Sequence, residues 1–97
     1  MDLEFSGPVF EWRGPAPFFY VAVPGPESAD IQEIARAVTY GWGVIPVTVR
    51  VGGTAWETSL FPKDGRYLVP LKVAVRRAEG IHEGDVVDLA LSVGGPL

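Results

Sequence analysis

The stretch Arg66 to Val93, RYLVPLKVAVRRAEGIHEGDVVDLALSV, decides the reading of this chain because its local signals agree with one another. Arg66 to Val69 favours a strand, and Pro70 ends it, since a residue without an N–H cannot donate to a ladder. Leu71 to Ala78 then places Leu71, Val75 and Ala78 on one side of a short helix and Lys72, Arg76 and Arg77 away from it. Gly80 stops the helix and Gly84-Asp85 turns the chain. From there to Val93, the apolar Val87, Leu89, Leu91 and Val93 alternate with Asp88, Ala90 and Ser92, the period of a strand with one face buried.

The same order of strand, proline, helix, glycine and strand occurs upstream. Phe18 to Val23 is apolar on both faces, as in a strand within a closed or covered sheet. Pro24-Gly25-Pro26 ends it, and Asp30 with Glu33 reads as a capping pair for a helix whose stripe is Ile31, Ile34, Ala35 and Val38. Gly41-Trp42-Gly43 stops that helix, and Val44 to Val51 follows with Ile45, Val47, Val49 and Val51 on one face. The two copies, Phe18 to Val51 and Tyr67 to Val93, share a plan rather than residues and predict a barrel whose halves are related by an internal pseudo-twofold.

The remaining segments fit between and before these copies. Leu3 to Arg13 reads as a strand with a fault: Leu3 and Phe5 are apolar at odd positions, Phe10 and Trp12 at even ones, so a bulge or bend is expected at Gly7-Pro8. Gly14-Pro15-Ala16-Pro17 predicts a rigid turn, and Gly52-Gly53 a two-residue hairpin into a strand from Thr54 to Phe61. Pro62-Lys63-Asp64-Gly65 predicts a second turn, and Gly94 to Leu97 a frayed tail. The expected architecture is mainly β, about seven strands and two short helices in a single domain spanning residues 1–97.

Composition bounds the function. With 97 residues the chain supports one core, and 47% hydrophobic residues supply the apolar surface that folding requires. It contains no cysteine, so thiolate chemistry and disulfides are excluded. The opening MDLEFSGPVFEW places acids where a secretory signal needs basic residues, and no apolar run reaches the length of a membrane span. A cytoplasmic location with no membrane contact is expected. The net charge of −4 disfavours nucleic acid as a partner unless a local basic patch overcomes it.

The segment LVPLKVAVRRAEGIHEGDVVDLAL resembles the half-barrel of the AbrB/MazE/SpoVT-type transcription factors, with its strand, proline, Arg-containing helix, Gly80-Ile81 and Gly84-Asp85. In that family two short chains complete one barrel, whereas this chain is long enough to supply both halves. The whole chain is also similar to a bacterial family of small barrels known only as a domain of unknown function, found alone or in front of a bacteriocin-protection (YdeI/OmpD-associated) domain. Phe5, Gly7, Trp12, Phe19, Val21, Val23, Pro24, Gly41, Gly43 and Ile45 carry that likeness. It continues through Thr58 to Pro62, Leu71-Lys72, Val75-Arg76, Ala78, Gly80-Ile81 and Gly84-Asp85. The resemblance implies a double-split, AbrB-like β-barrel and brings no activity to particular residues; the AbrB likeness keeps a DNA-binding regulator as an alternative.

No residue pattern points to catalysis. His82 is the sole histidine and stands beside Glu83 and Asp85 in a turn, the setting of a solvated side chain. Ser59 has no base in its neighbourhood of sequence, and a strand hydroxyl ordinarily bonds to a neighbouring strand. The basic cluster Lys72, Arg76 and Arg77 is followed at once by Glu79, Glu83, Asp85 and Asp88, which cancel most of its field. The glycine pairs match neither the P-loop nor the dinucleotide fingerprint. One ligand-binding constellation is conceivable: Trp42, Arg50, Trp56 and Lys63 converging on a pocket for a planar or anionic ligand, with Trp12 as a further aromatic. The resulting expectation is a non-enzymatic module without cofactor or metal that binds a partner protein or a small ligand, as a monomer or a homodimer.

Overall fold

The computed structural model describes residues 1–13, 18–38 and 45–93. The expected turn at 14–17, the helix stop at Gly41-Trp42-Gly43 and the tail at 94–97 lie outside them. The described elements are β1 (Asp2–Trp12), β2 (Phe18–Ala22), α1 (Gly25–Val38), β3 (Ile45–Val51), β4 (Thr54–Lys63), β5 (Arg66–Leu71), α2 (Val73–Glu79) and β6 (Val86–Val93). The strands form a closed antiparallel barrel in the order β1-β2-β5-β4-β3-β6, so the fold is mainly β with two helices. Closure leaves no long unpaired edge. No helix among the described residues is long and apolar enough to cross a membrane.

Among the described residues there are six strands, where about seven are expected, because β1 runs without a fault. Phe5, Gly7 and Val9 all face the core, and the ladder continues through Gly7↔Val87 and Pro8↔Val86 with no extra residue. What changes near Gly7-Pro8 is the partner. Residues 2–8 pair with β6, and from Val9 to Trp12 the strand pairs with β2. The change of phase in the sequence therefore marks apolar side chains moving to the outer face, Phe10 and Trp12, and not a bulge. Gly7 faces inward against a buried strand: a Cβ there would lie 3.0 Å from Val21 Cγ1.

β4 repeats the manoeuvre of β1. It pairs with β3 from Thr54 to Leu60 and with β5 from Phe61 to Lys63. The ring order is unchanged when β1, β2 and β3 are exchanged with β4, β5 and β6, so the internal repeat expected from the sequence is present in the connectivity. Each unit is two strands, a helix and a strand, which extends the copies seen in the sequence by one strand at their start.

The core is a single cluster on the inner face. It includes Val9, Val21, Ile45, Val49, Leu60, Val69 and Leu91, each at most 2% exposed, together with Ile31 from α1 and Val75 from α2. Burying aliphatic side chains of this size stabilises the fold by roughly 1.5–3 kcal/mol each.

Pro24 lies outside β2, as expected, but Pro70 and Pro62, expected to end a strand and to open a turn, lie inside strands. Pro70 pairs with Tyr20, beyond the last residue of β5 that pairs with β4, Leu68. There the strand has one neighbour, and a missing N–H is tolerated as at a sheet edge. Pro62 pairs with Tyr67, and the turn shrinks to Asp64-Gly65, with φ of 51° and 78°. Two successive positive φ angles are those of a type I′ hairpin, whose twist matches the strands it joins.

The helices also start elsewhere than expected. α1 begins at Gly25, five residues before the Asp30 that was read as its cap, because Pro26 suits a first turn. α2 begins at Val73, and Leu71 belongs to β5. Ala78 is exposed, leaving Val75 as the buried residue of α2. Because β2 and β5 are antiparallel, α1 leaves one end of the barrel and α2 the other.

Two polar contacts fix the helices. The buried Ser28 hydroxyl donates to Val23 O at 3.0 Å and accepts from Tyr67 N at 3.2 Å, tying α1 to β2 and β5. Glu79 accepts a 2.6 Å hydrogen bond from Thr54 Oγ1 and occupies the space that a side chain on Gly52 would need. It thereby ties α2 to the β3–β4 hairpin.

Candidate functional site

The alternation that fills the core also sorts the outer surface into two unlike halves. On β1 and β2, inward Val9 and Val21 leave Phe10, Trp12, Phe18 and Tyr20 pointing out, and the β4 register adds Phe61. Tyr20 is at the centre. Its ring centroid lies 6.1 Å from Phe10, 6.1 Å from Trp12, 5.6 Å from Phe18 and 6.3 Å from Phe61. Interplanar angles of 35° to 80° make the surface ridged rather than flat.

Trp12 and Phe61 remain 44% and 41% exposed despite this packing. Leu68 and Pro70, paired across the ladder with Phe61 and Tyr20, are buried in the same outward register and extend the apolar floor. Holding large aromatics half in water gains the fold nothing in stability, and Trp12 and Phe61 join the Tyr20-centred rings in one contiguous apolar patch.

Basic groups edge the patch. Lys63 Nζ stands 3.6 Å from the Trp12 ring centroid, a cation–π contact. Arg66 Nε donates to Val23 O at 2.9 Å, and Arg13 pairs with Glu11 at 3.0 Å. Beside the rings a groove of about 440 Å³ runs over Pro8, Phe10, Ala22 and Leu68, with Lys63 and Arg66 at its rim.

The other outer half, on β1, β3 and β6, is polar and acidic. Asp2 accepts from Ser92 Oγ at 2.8 Å, and Asp88 accepts from Ser6 Oγ. Arg50 is exposed there near Glu4 and Asp88, lining an open depression of about 490 Å³.

The constellation read from the sequence is therefore divided. Trp42 lies outside the described residues. Trp56 is opposite the inward Val49 and packs against the core, so Arg50, one position further along β3, points to the opposite side of the wall. Trp56 Nε1 is buried without a hydrogen-bond partner among the described residues. Lys63 is paired with Trp12 at the aromatic half. Arg50, Trp56 and Lys63 share no concavity.

The other candidate residues are engaged structurally. The exposed His82 donates its backbone N–H to Asp85 Oδ2 at 2.8 Å, closing the turn before β6. Ser59 faces outward opposite Pro46. Of the basic cluster, Lys72 Nζ donates to Glu57 O at 3.1 Å and the Arg76 guanidinium lies 3.9 Å over the Phe19 ring, leaving Arg77 exposed.

The sequence pattern hides the aromatic surface, because the change of phase at Phe10 and Trp12 reads as a shifted register rather than as an apolar outer face. A signal for it was present: Phe18 to Val23 is apolar on both faces, with aromatic side chains on its outer one.

Residues 5–91 match the family model described as Domain of unknown function (DUF1905). No curated protein matches the chain.

Proposed function

The chain belongs to the DUF1905 family, and from that premise we propose that it is a non-enzymatic binding module that holds a partner protein against the outer aromatic face of β1, β2, β4 and β5. The observation that supports this most directly is the half-exposed pair Trp12 and Phe61 beside the Tyr20-centred cluster. Trp and Tyr dominate the energetics of protein contacts, and a small barrel holds them rigidly enough that little conformational entropy is lost on docking. In this reading the chain works in the cytoplasm, in keeping with its lack of cysteine.

The DNA-binding alternative draws less support, since Lys72 and Arg76 are committed to a carbonyl and a ring and the opposite face is acidic. A pocket for a small anion draws less as well, because Arg50 and Trp56 lie on opposite sides of the wall.

The test compares proteins captured by the wild type and by a Trp12→Ala/Phe61→Ala double variant, with circular dichroism confirming that the barrel is folded. Selective loss of a wild-type partner by the variant is expected. Retention of the same partners by both proteins refutes the assignment of this face, and turnover abolished by His82→Ala or Ser59→Ala in a broad substrate screen refutes the non-enzymatic reading.

A further inference from the structure

We propose that the aromatic face is covered by a second copy of this chain, in a twofold dimer that sets the aromatic half of each face against the cationic half of the other. The inference rests on the reading of this face as a binding surface and names its occupant.

The internal repeat supplies the argument. Aligning the two helix starts, Gly25 with Val73, lays β2 on β5 so that Phe18 falls on Arg66, Tyr20 on Leu68 and Val21 on Val69. Polar contacts obey the same alignment: Ser28 Oγ donates to Val23 O, and its counterpart Arg76 donates through Nε to Leu71 O. Val21 and Val69 are also partners in the β2–β5 ladder, so the pseudo-twofold passes between them, through the middle of this wall. Laying the β1–β2 ladder on the β4–β5 ladder then carries the pair Trp12↔Phe18 onto the pair Lys63↔Arg66. One hairpin ends in two aromatic side chains, and its counterpart ends in two cations.

A face of this kind is complementary to itself. In a closed twofold dimer, each contact of one residue with another is repeated with the two copies exchanged. With the dyad lying in the plane of the face, across the line that joins the two hairpin ends, Trp12 and Phe18 of each copy meet Lys63 and Arg66 of the other. The chain already makes one contact of this type, Lys63 Nζ at 3.6 Å from the Trp12 ring centroid, and Trp12 keeps 44% exposure for a second.

Net charge selects the same wall. Each copy carries −4, so two copies repel unless their carboxylates are kept apart. The β3–β6 ladder stands across the ring from β2–β5, and Asp2, Glu4 and Asp88 lie on its side of the barrel. Contact through the aromatic wall leaves these acids at the two far ends of the dimer and brings cations to rings. Of the acids beside that wall, Glu11 is paired with Arg13, and Asp64 sits in the turn between the two cations. A second copy presents both halves in the order required, which an unrelated acidic protein does not.

Area sets the strength. Four strands about 4.8 Å apart, with about six residues of each at about 3.3 Å, make a face of roughly 400 Å². That is about half of the roughly 800 Å² per partner buried in a stable complex. The dimer is therefore reversible, forming between roughly 10 μM and 1 mM.

The experiment follows the full chain by sedimentation velocity from about 10 μM to about 1 mM, with circular dichroism confirming that each variant is folded. A shift from monomer to dimer is expected, with no larger species, because the twofold closes. Trp12→Ala should raise the dissociation constant about tenfold or more, as for a central aromatic anchor, and Lys63→Gln several-fold. Isotope-filtered nuclear magnetic resonance on an equal mixture of labelled and unlabelled chain reads the pairing. Contacts from Trp12 and Phe18 of one copy to Lys63 and Arg66 of the other are expected.

A chain that stays monomeric at about 1 mM, a dimer left intact by Trp12→Ala, contacts between copies at Asp88 or Ala90, or growth into longer assemblies overturns the proposal. If one of these occurs while the Trp12→Ala/Phe61→Ala variant still loses a captured partner, the face binds a different protein and the second copy alone is refuted. If the double variant loses nothing, the binding-face reading fails with it.

Discussion

Replacement of Ser28 by alanine tests the hinge on which the first half of the barrel is assembled. Ser28 is 2% exposed, and its hydroxyl donates to Val23 O and accepts from Tyr67 N, while Tyr67 O accepts from Val23 N at 2.8 Å. Alanine leaves Val23 O with the Arg66 guanidinium as a donor, but Tyr67 N–H has no other acceptor. Loss of the hydroxyl bond costs about 1 kcal/mol and the orphaned N–H about 1–3 kcal/mol. Alanine returns roughly 0.5 kcal/mol through its better helix propensity. The net destabilisation is therefore about 1.5–3.5 kcal/mol, which for a domain of this size lowers Tm by roughly 6–28 °C. Urea unfolding gives the free energy, and hydrogen exchange gives the location: the Tyr67 amide should lose protection beyond the global change. The exposed Ser6→Ala, which removes a bond to Asp88 on the acidic half, serves as the control and should stay within about 0.5 kcal/mol of wild type. A Ser28→Ala variant equally close to wild type, or with Tyr67 protection unchanged, refutes the argument that this hydroxyl closes the junction.

Three further outcomes follow from the same geometry. Gly7→Ala places a Cβ 3.0 Å from Val21 Cγ1 in a filled core and should destabilise by about 1–3 kcal/mol in urea unfolding, less a few tenths returned by the stiffer unfolded chain. Thr54→Val removes the donor to Glu79 and should cost about 1.5–3 kcal/mol, with the largest loss of amide protection in α2. Burial raises the Tyr67 phenol above its ordinary value of 10.0, an effect that the Arg36 charge partly offsets. The folded state thus holds the proton more tightly than the unfolded one, so the contribution of Tyr67 is complete below pH 10.0 and is lost as pH rises through the folded value. Stability should fall with pH in that alkaline window, and Tyr67→Phe should flatten the slope.

Legibility differed by element for physical reasons. β3 and β6 were readable because each has one buried and one wet face, and Ile45, Val47, Val49 and Val51, like Leu89, Leu91 and Val93, are buried in the observed ladder as the alternation requires. The Gly52-Gly53 hairpin was readable because a two-residue turn has few solutions, and the register indeed closes at Val51↔Thr54. β1 was misread because both its faces turn apolar along its length, so its period alone cannot say whether the chain slips or the outer surface changes character. Pro62 and Pro70 were misread because a proline ends a strand only where its neighbour needs the missing N–H, and that neighbour is chosen by the fold.

The aromatic face lies mostly on the tertiary side of that division, since the sequence shows only that Phe18 to Val23 is apolar on both faces. Phe10, Trp12, Phe18, Tyr20 and Phe61 come from three strands, and the sequence contains no term that brings β4 beside β5 and β2 beside β1 in one curved wall. By itself the sequence determined one core, two strand–helix–strand units, and a chain without thiol chemistry and with an acidic balance, because composition and period depend on neighbours a few residues apart. Only the tertiary structure decided which side chains share a surface. Closing the ring converts a one-residue difference in register into opposite sides of a wall: it separates Arg50 from Trp56 and gathers four rings around Tyr20 on the other half.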